Sequence, residues 1–144
     1  MRKTNILFLL IVILGAVFTS CSKEEENGPV DMGVIEGKWI FNKSGYSKGV
    51  ISGSVNYSGN VEGCEKDYIE IKAAGVVKLG DYKTDCVFAE STGTWSQDGN
   101  SINVVVEGSE MKGTFEISTL TATELVLKRK NEEGATLSQS FTRG

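Results

Sequence analysis

From Glu36 to the C-terminus, apolar residues recur at every second position in short runs separated by glycine and polar residues. That period of two constrains the fold more than any other feature, because it places alternate side chains on opposite faces of a strand. Trp39 and Phe41 share one face of a first strand. Ile69 and Ile71 share a face of another, with Tyr68, Glu70 and Lys72 opposite. Val77 and Leu79 follow an Ala73-Ala74-Gly75 turn, and Gly93-Trp95 precedes Ser96-Gln97-Asp98-Gly99-Asn100, where Asp-Gly supplies the positive φ of a tight hairpin. Ile102, Val104 and Val106, then Phe115 and Ile117, then Leu125 and Leu127, then Leu137 and Phe141 complete the series. With a weaker run at Val50–Tyr57 this predicts about nine strands. Seventeen glycines against one proline, Pro29, fit strands joined by tight turns.

Spacings of roughly 10–15 residues with short polar connections leave no room for crossover helices. The expected fold is therefore all-β: one antiparallel up-and-down meander closing into a small barrel of about eight to nine strands. The segment Val50–Gly63 is rich in glycine and serine, so it is expected to be either a weak second strand or a mobile flap at the barrel mouth.

The N-terminus has a different organisation. Arg2 and Lys3 precede an unbroken apolar run from Ile6 to Phe18, followed by Thr19-Ser20, the charged, apolar, small order of a secretory signal. As a helix the run rises about 20 Å, short of the roughly 30 Å a membrane span must cross. Residues 1–20 are thus expected to be removed. Phe18-Thr19-Ser20-Cys21 resembles a bacterial lipobox, with Phe18 where leucine is usual, and the resemblance implies that Cys21 is lipidated and becomes the new N-terminus. Several acyl chains, palmitate among them, then anchor what one chain could not. Ser22-Lys23-Glu24-Glu25-Glu26 looks like the tract that sends lipoproteins to the outer face of the outer membrane in some Gram-negative bacteria. A solvated acidic spacer is the equal alternative. Residues 21–33 read as a flexible tether, with Gly28, Pro29 and Gly33, and the folded domain is expected over 34–144.

The midpoint of Cys64 and Cys86 is Gly75, at the turn between the predicted strands Tyr68–Lys72 and Val76–Lys83. Two cysteines symmetric about a hairpin turn sit within disulfide reach, and in an exported protein they are expected to be oxidised. The bond is expected to be structural.

Gly37-Lys38-Trp39 on the first strand resembles the Gly-x-Trp signature of lipocalins. Cys64-Glu65-Lys66-Asp67-Tyr68, Gly93-Thr94-Trp95 and Leu120-Thr121-Ala122-Thr123-Glu124-Leu125-Val126-Leu127 follow in order, and together these resemble the lipocalin-like domains of secreted bacterial lipoproteins over Val34 to Arg143. The resemblance implies that Trp39 plugs the closed end of the barrel and that a late basic residue packs across it. Arg143, next but one to Phe141, is preferred over Arg129 for that place.

After loss of Arg2 and Lys3 the chain carries 13 basic and 19 acidic side chains, a balance that argues against nucleic acid. There is no histidine, no Gly-x-Ser-x-Gly elbow and no activated nucleophile. No catalytic residue, metal site or cofactor is expected, and the protein is not expected to be an enzyme. The acidic pairs Glu65/Asp67, Asp81/Asp85, Glu107/Glu110 and Glu132/Glu133 read as solvated faces and turns. If the interior is hollow, its walls are Phe41, Ile69, Ile71, Val77, Leu79, Trp95, Val104, Phe115 and Leu127. The leading expectation is a monomeric, membrane-anchored, non-catalytic binding module for a small hydrophobic ligand. The alternative is a surface protein with a filled barrel that meets a partner protein or glycan through Tyr46, Tyr57, Tyr68 and Tyr82 and the Gly/Ser segment.

Overall fold

The computed structural model describes residues 34–144. Residues 1–20, expected to be a signal peptide, Cys21 and the whole of the expected tether lie outside the described residues. Nine strands run in order: β1 (Gly37–Lys48), β2 (Ile51–Asn56), β3 (Tyr68–Lys72), β4 (Val76–Lys83), β5 (Val87–Asp98), β6 (Ser101–Val105), β7 (Lys112–Leu120), β8 (Glu124–Lys130) and β9 (Thr136–Arg143). Each of β3 to β9 pairs antiparallel with the next, and β1 pairs with both β3 and β9, which closes an eight-stranded barrel. Closure leaves β2 as a ninth strand outside the ring.

β2 is outside because β1 is longer than the barrel wall. Gly37–Ile40 of β1 pair with β3, whereas Lys43–Lys48 pair with β2 on the same edge, so the β1–β2 hairpin projects beyond the rim. The partner changes at a bulge between Phe41 and Lys43 in the ladder to β9, where Asn42 is the extra residue. Its carbonyl, freed from the ladder, accepts the Tyr57 N–H at 2.9 Å. In place of a flap, Ile51–Asn56 is a paired strand and the loop after it is pinned: Asn60 donates to the Phe41 carbonyl, Asp67 N–H donates to Asn60, and Phe41 N–H donates to the Asp67 carbonyl.

The inward faces are the predicted ones. Trp39, Phe41, Ile69, Ile71, Val77, Ile102, Val104, Val106, Phe115, Ile117, Leu125, Leu127 and Phe141 are buried in one core. The β5–β6 hairpin differs from expectation by one position. Asp98 pairs with Ser101, so the loop is Gly99-Asn100, and Gly99 alone carries the positive φ, +56°. Glycine at the first of two loop positions gives a turn whose twist matches the flanking strands.

Trp39 closes the lower end. It is fully buried, and its indole N–H donates to the Ile35 carbonyl at 2.7 Å. Of the two candidate bases, Arg143 lies over the indole, 4.2 Å from its centre, while Arg129 lies over Phe115. The Arg143 guanidinium also donates to the carbonyls of Glu36 and Val34, tying the last strand to the first residues of the domain. Gly37 makes this possible. Its φ is +132°, and a Cβ there would meet the guanidinium.

Candidate functional site

The interior changes character along the barrel axis, and it does so strand by strand. The inward face of β4 reads Val77, Leu79, Asp81, Lys83 from the closed end upward; that of β9 reads Phe141, then Gln139. The lower barrel is filled by its own side chains. At the upper end a cavity of about 350 Å³ opens between the β2–β3 loop, the β6–β7 loop and the tops of β4, β5 and β9. It is more enclosed than the shallow grooves flanking the β1–β2 hairpin. Its lining mixes apolar residues, Phe41, Tyr57, Leu79 and Met111, with polar ones, Asp67, Asp81, Lys83, Ser91, Glu110 and Gln139. A few convergent polar groups beside an apolar wall are the usual make-up of a small-molecule site.

Tyr57 reaches the cavity through the bulge at Asn42, and its ring stacks on Phe41 with centroids 4.5 Å apart. Asp67, only 2% exposed, is the one buried charged residue among those described. Its side chain accepts the Tyr82 N–H at 2.8 Å. Burial holds the Asp67 carboxyl above the usual carboxylate range, opposed by the Tyr82 N–H and reinforced by Asp81. Burial also pushes the Tyr57 phenol up to about 12, with Asp67, Asp81 and Glu110 adding to the effect. A phenol whose folded-state pKa lies above its ordinary value of 10.0 stabilises the fold fully below pH 10, and that contribution is lost as pH rises toward about 12. Tyr57→Phe is therefore expected to remove one late-ionising phenol from a tyrosinate absorbance titration and to lessen the loss of stability over that window. Loss instead of a phenol that ionises near its ordinary value of 10.0 would contradict the placement of Tyr57.

The nine expected wall residues divide by height. Phe41 and Leu79 line the cavity; Phe115 and Leu127 border an adjoining cleft with Glu110 and Arg129. Ile69, Ile71, Val77 and Val104 are packed in the core below. Trp95 is at the opposite end, where its indole N–H donates to the Lys72 carbonyl near the β3–β4 turn. The tyrosines also part company with expectation. Tyr46 is exposed on the hairpin, but Tyr57 faces the cavity and Tyr68 is buried on the outer wall, under Lys38 and beside Phe88. The acidic pairs are split too: buried Asp67, half-exposed Asp81 and exposed Glu110 all line the cavity, while Glu65, Asp85 and Glu107 lie away from it at the surface. Extending the Val77, Leu79 alternation by one step finds Asp81, and extending Ile71, Ile69 back by one step finds Asp67; Glu110, on a loop, carries no periodic signal.

Cys64 and Cys86 form the expected disulfide, with Cα atoms 5.2 Å apart. It joins the β2–β3 loop to the β4–β5 turn, so it fixes one side of the cavity rim.

The chain is similar in fold to two solved structures. One is a lipocalin-like protein from Bacteroides uniformis ATCC 8492, 20% identical, with TM-score 0.51, covering 75% of this chain and 96% of that one. The other is a protein from Bacteroides eggerthii DSM 20697, 13% identical, with TM-score 0.50, covering 76% of this chain and 98% of that one. No curated protein matches the sequence. The family model for the lipocalin-like domain matches residues 35–127, which takes in Gly37-Lys38-Trp39, every cavity-lining residue except Gln139, and both disulfide cysteines. With that match over more than half its length and an eight-stranded antiparallel barrel closed over Trp39, the chain belongs to the lipocalin-like domain family.

Proposed function

We propose that this protein is an exported, lipid-anchored lipoprotein whose barrel takes up a small molecule at its mouth, without catalysis. The observation that carries the reading is the cavity of about 350 Å³, within the range of small-molecule sites and open at one end of an otherwise filled barrel. Its mixed lining makes the ligand amphipathic, with apolar contacts to Phe41, Leu79 and Met111, rather than the wholly hydrophobic one the inward face implies. The test is native mass spectrometry against a library of small amphipathic molecules, with Ala89→Trp as the control. Ala89 lines the cavity and stands outside the core cluster, so the variant is expected to fold and to lose the one-to-one adduct. A library that yields no adduct with the unaltered protein would end this reading.

The anchoring part rests on Arg2-Lys3, the apolar run Ile6–Phe18 and Cys21. Val34 accepts a hydrogen bond from Arg143 at the closed end of the barrel, so the tether enters there and the mouth opens on the opposite side. This suits a site that faces away from the outer-membrane surface. Cys21→Ser is expected to move the protein from the membrane fraction to the soluble fraction of the envelope; retention of the variant in the membrane would refute the anchor.

A second reading draws on the β1–β2 hairpin, where Tyr46, Ile51 and Val55 are exposed at 41%, 67% and 68% and the outer edge of β2 is unpaired among the described residues. Such an edge can accept a strand from a partner protein. Capture of an envelope partner that is lost on Tyr46→Ser with Ile51→Lys would favour it.

A further inference from the structure

We propose that the mouth cavity selects a cationic ligand, an organic amine with an apolar or aromatic body. The inference rests on the reading of the cavity as a ligand site and adds the charge of its occupant.

Three carboxylates, from the β2–β3 loop, from β4 and from the β6–β7 loop, face one enclosed volume: Asp67, Asp81 and Glu110. The single cation on the lining is Lys83, which lies 3.6 Å from Asp81 and compensates that residue at the outer rim. Neither Asp67 nor Glu110 forms an ion pair among the described residues, though Glu110 is exposed to solvent and shares the adjoining cleft with Arg129. Asp67 cannot relieve its charge in bulk water, being almost wholly buried. Asp67, Asp81 and Glu110 line the same cavity as Tyr57, and each pushes its phenol up alongside burial.

Beside these carboxylates stand the faces that a cation's organic body would meet. Tyr57 stacks on Phe41, and with Leu79 and Met111 they supply the apolar part of the lining. An ammonium group on such a body exchanges its hydration for a carboxylate and an aromatic face, both attractive to positive charge. A carboxylate ligand would have to enter the same volume against two unpaired like charges. The gradient along β4, from Val77 and Leu79 to Asp81, orders the ligand with its apolar end down and its ammonium near the rim.

The experiment compares three probes on one skeleton: phenethylamine, phenethyl alcohol and phenylacetate, titrated calorimetrically into the folded domain at neutral pH. The expected order is amine tightest and phenylacetate weakest, with the amine favoured over the alcohol by about tenfold or more at low salt and by less at high salt. Glu110→Gln with Asp67→Asn is expected to lower amine affinity by about tenfold and so abolish the preference for amine over alcohol. Asparagine keeps an oxygen for the Tyr82 N–H, and a thermal melt checks that the variant is folded. Equal binding of amine and alcohol, or preference for phenylacetate, would overturn the charge inference and leave the cavity reading standing. Failure of all three probes to bind would overturn both.

Discussion

Trp39→Ala is expected to lower the unfolding free energy by about 3–5 kcal/mol, the usual cost of emptying a fully buried tryptophan site. The indole is wholly enclosed, so truncation loses its transfer free energy and leaves a void at the barrel floor. Two further contacts go with it. Ile35 loses the N–H that satisfies its carbonyl, and Arg143 loses the face it covers. Against a total stability of about 5–15 kcal/mol for a domain of this size, the variant retains only a small margin. Chemical denaturation monitored by circular dichroism reads the change as a fall in midpoint. Because Trp39 sits at the end opposite the cavity, the fraction still folded is expected to bind ligand as before. A midpoint within error of the unaltered protein would mean that Trp39 does not close the barrel.

Replacing both Cys64 and Cys86 with serine is expected to cost about 3 kcal/mol, from the loop-closure entropy that the cross-link removes from the unfolded chain. The bond spans 22 positions in sequence. Its location adds a second effect. It ties the loop that carries Asp67 to the turn above Asp81, so the variant is also expected to bind the cavity ligand more weakly at temperatures where it remains folded. Denaturation with and without a reductant separates the contributions: the unaltered protein in reductant should match the double variant. Coincidence of all three curves with the oxidised protein would show that the bond contributes nothing to stability.

Neither prediction needed more than local sequence to frame. Gly37-Lys38-Trp39 marks the plug, and the symmetry of Cys64 and Cys86 about Gly75 marks the clamp. The plug is implied by the resemblance of Gly37-Lys38-Trp39 to the lipocalin Gly-x-Trp signature; the clamp follows because a period of two and a turn position fix the geometry of the hairpin it spans. Strands β3 and β4 match the expected Tyr68–Lys72 and Val76–Lys83 for the same reason. The functional end was less legible. The partner exchange of β1 at Asn42 depends on which strand happens to lie beside it, and no local pattern encodes that. Tyr57 consequently reads as one more exposed tyrosine until the bulge and the pinned loop turn it inward.

The acidic residues make the point most directly. In sequence, Asp67, Asp81 and Glu110 belong to three separate pairs of charges, and each pair by itself is best accounted for by water. Only closure of the barrel brings their segments to one rim and withdraws Asp67 from solvent. Sequence by itself determined the alternation, hence the inward apolar faces, the antiparallel meander and the disulfide, because these follow from short-range geometry, and the Trp39 plug was legible through the Gly-x-Trp resemblance. The tertiary structure alone decided how far up the barrel the apolar filling extends, which strand is left outside the ring, and that the space above the core is acidic, because those depend on residues far apart in the chain meeting across a closed sheet.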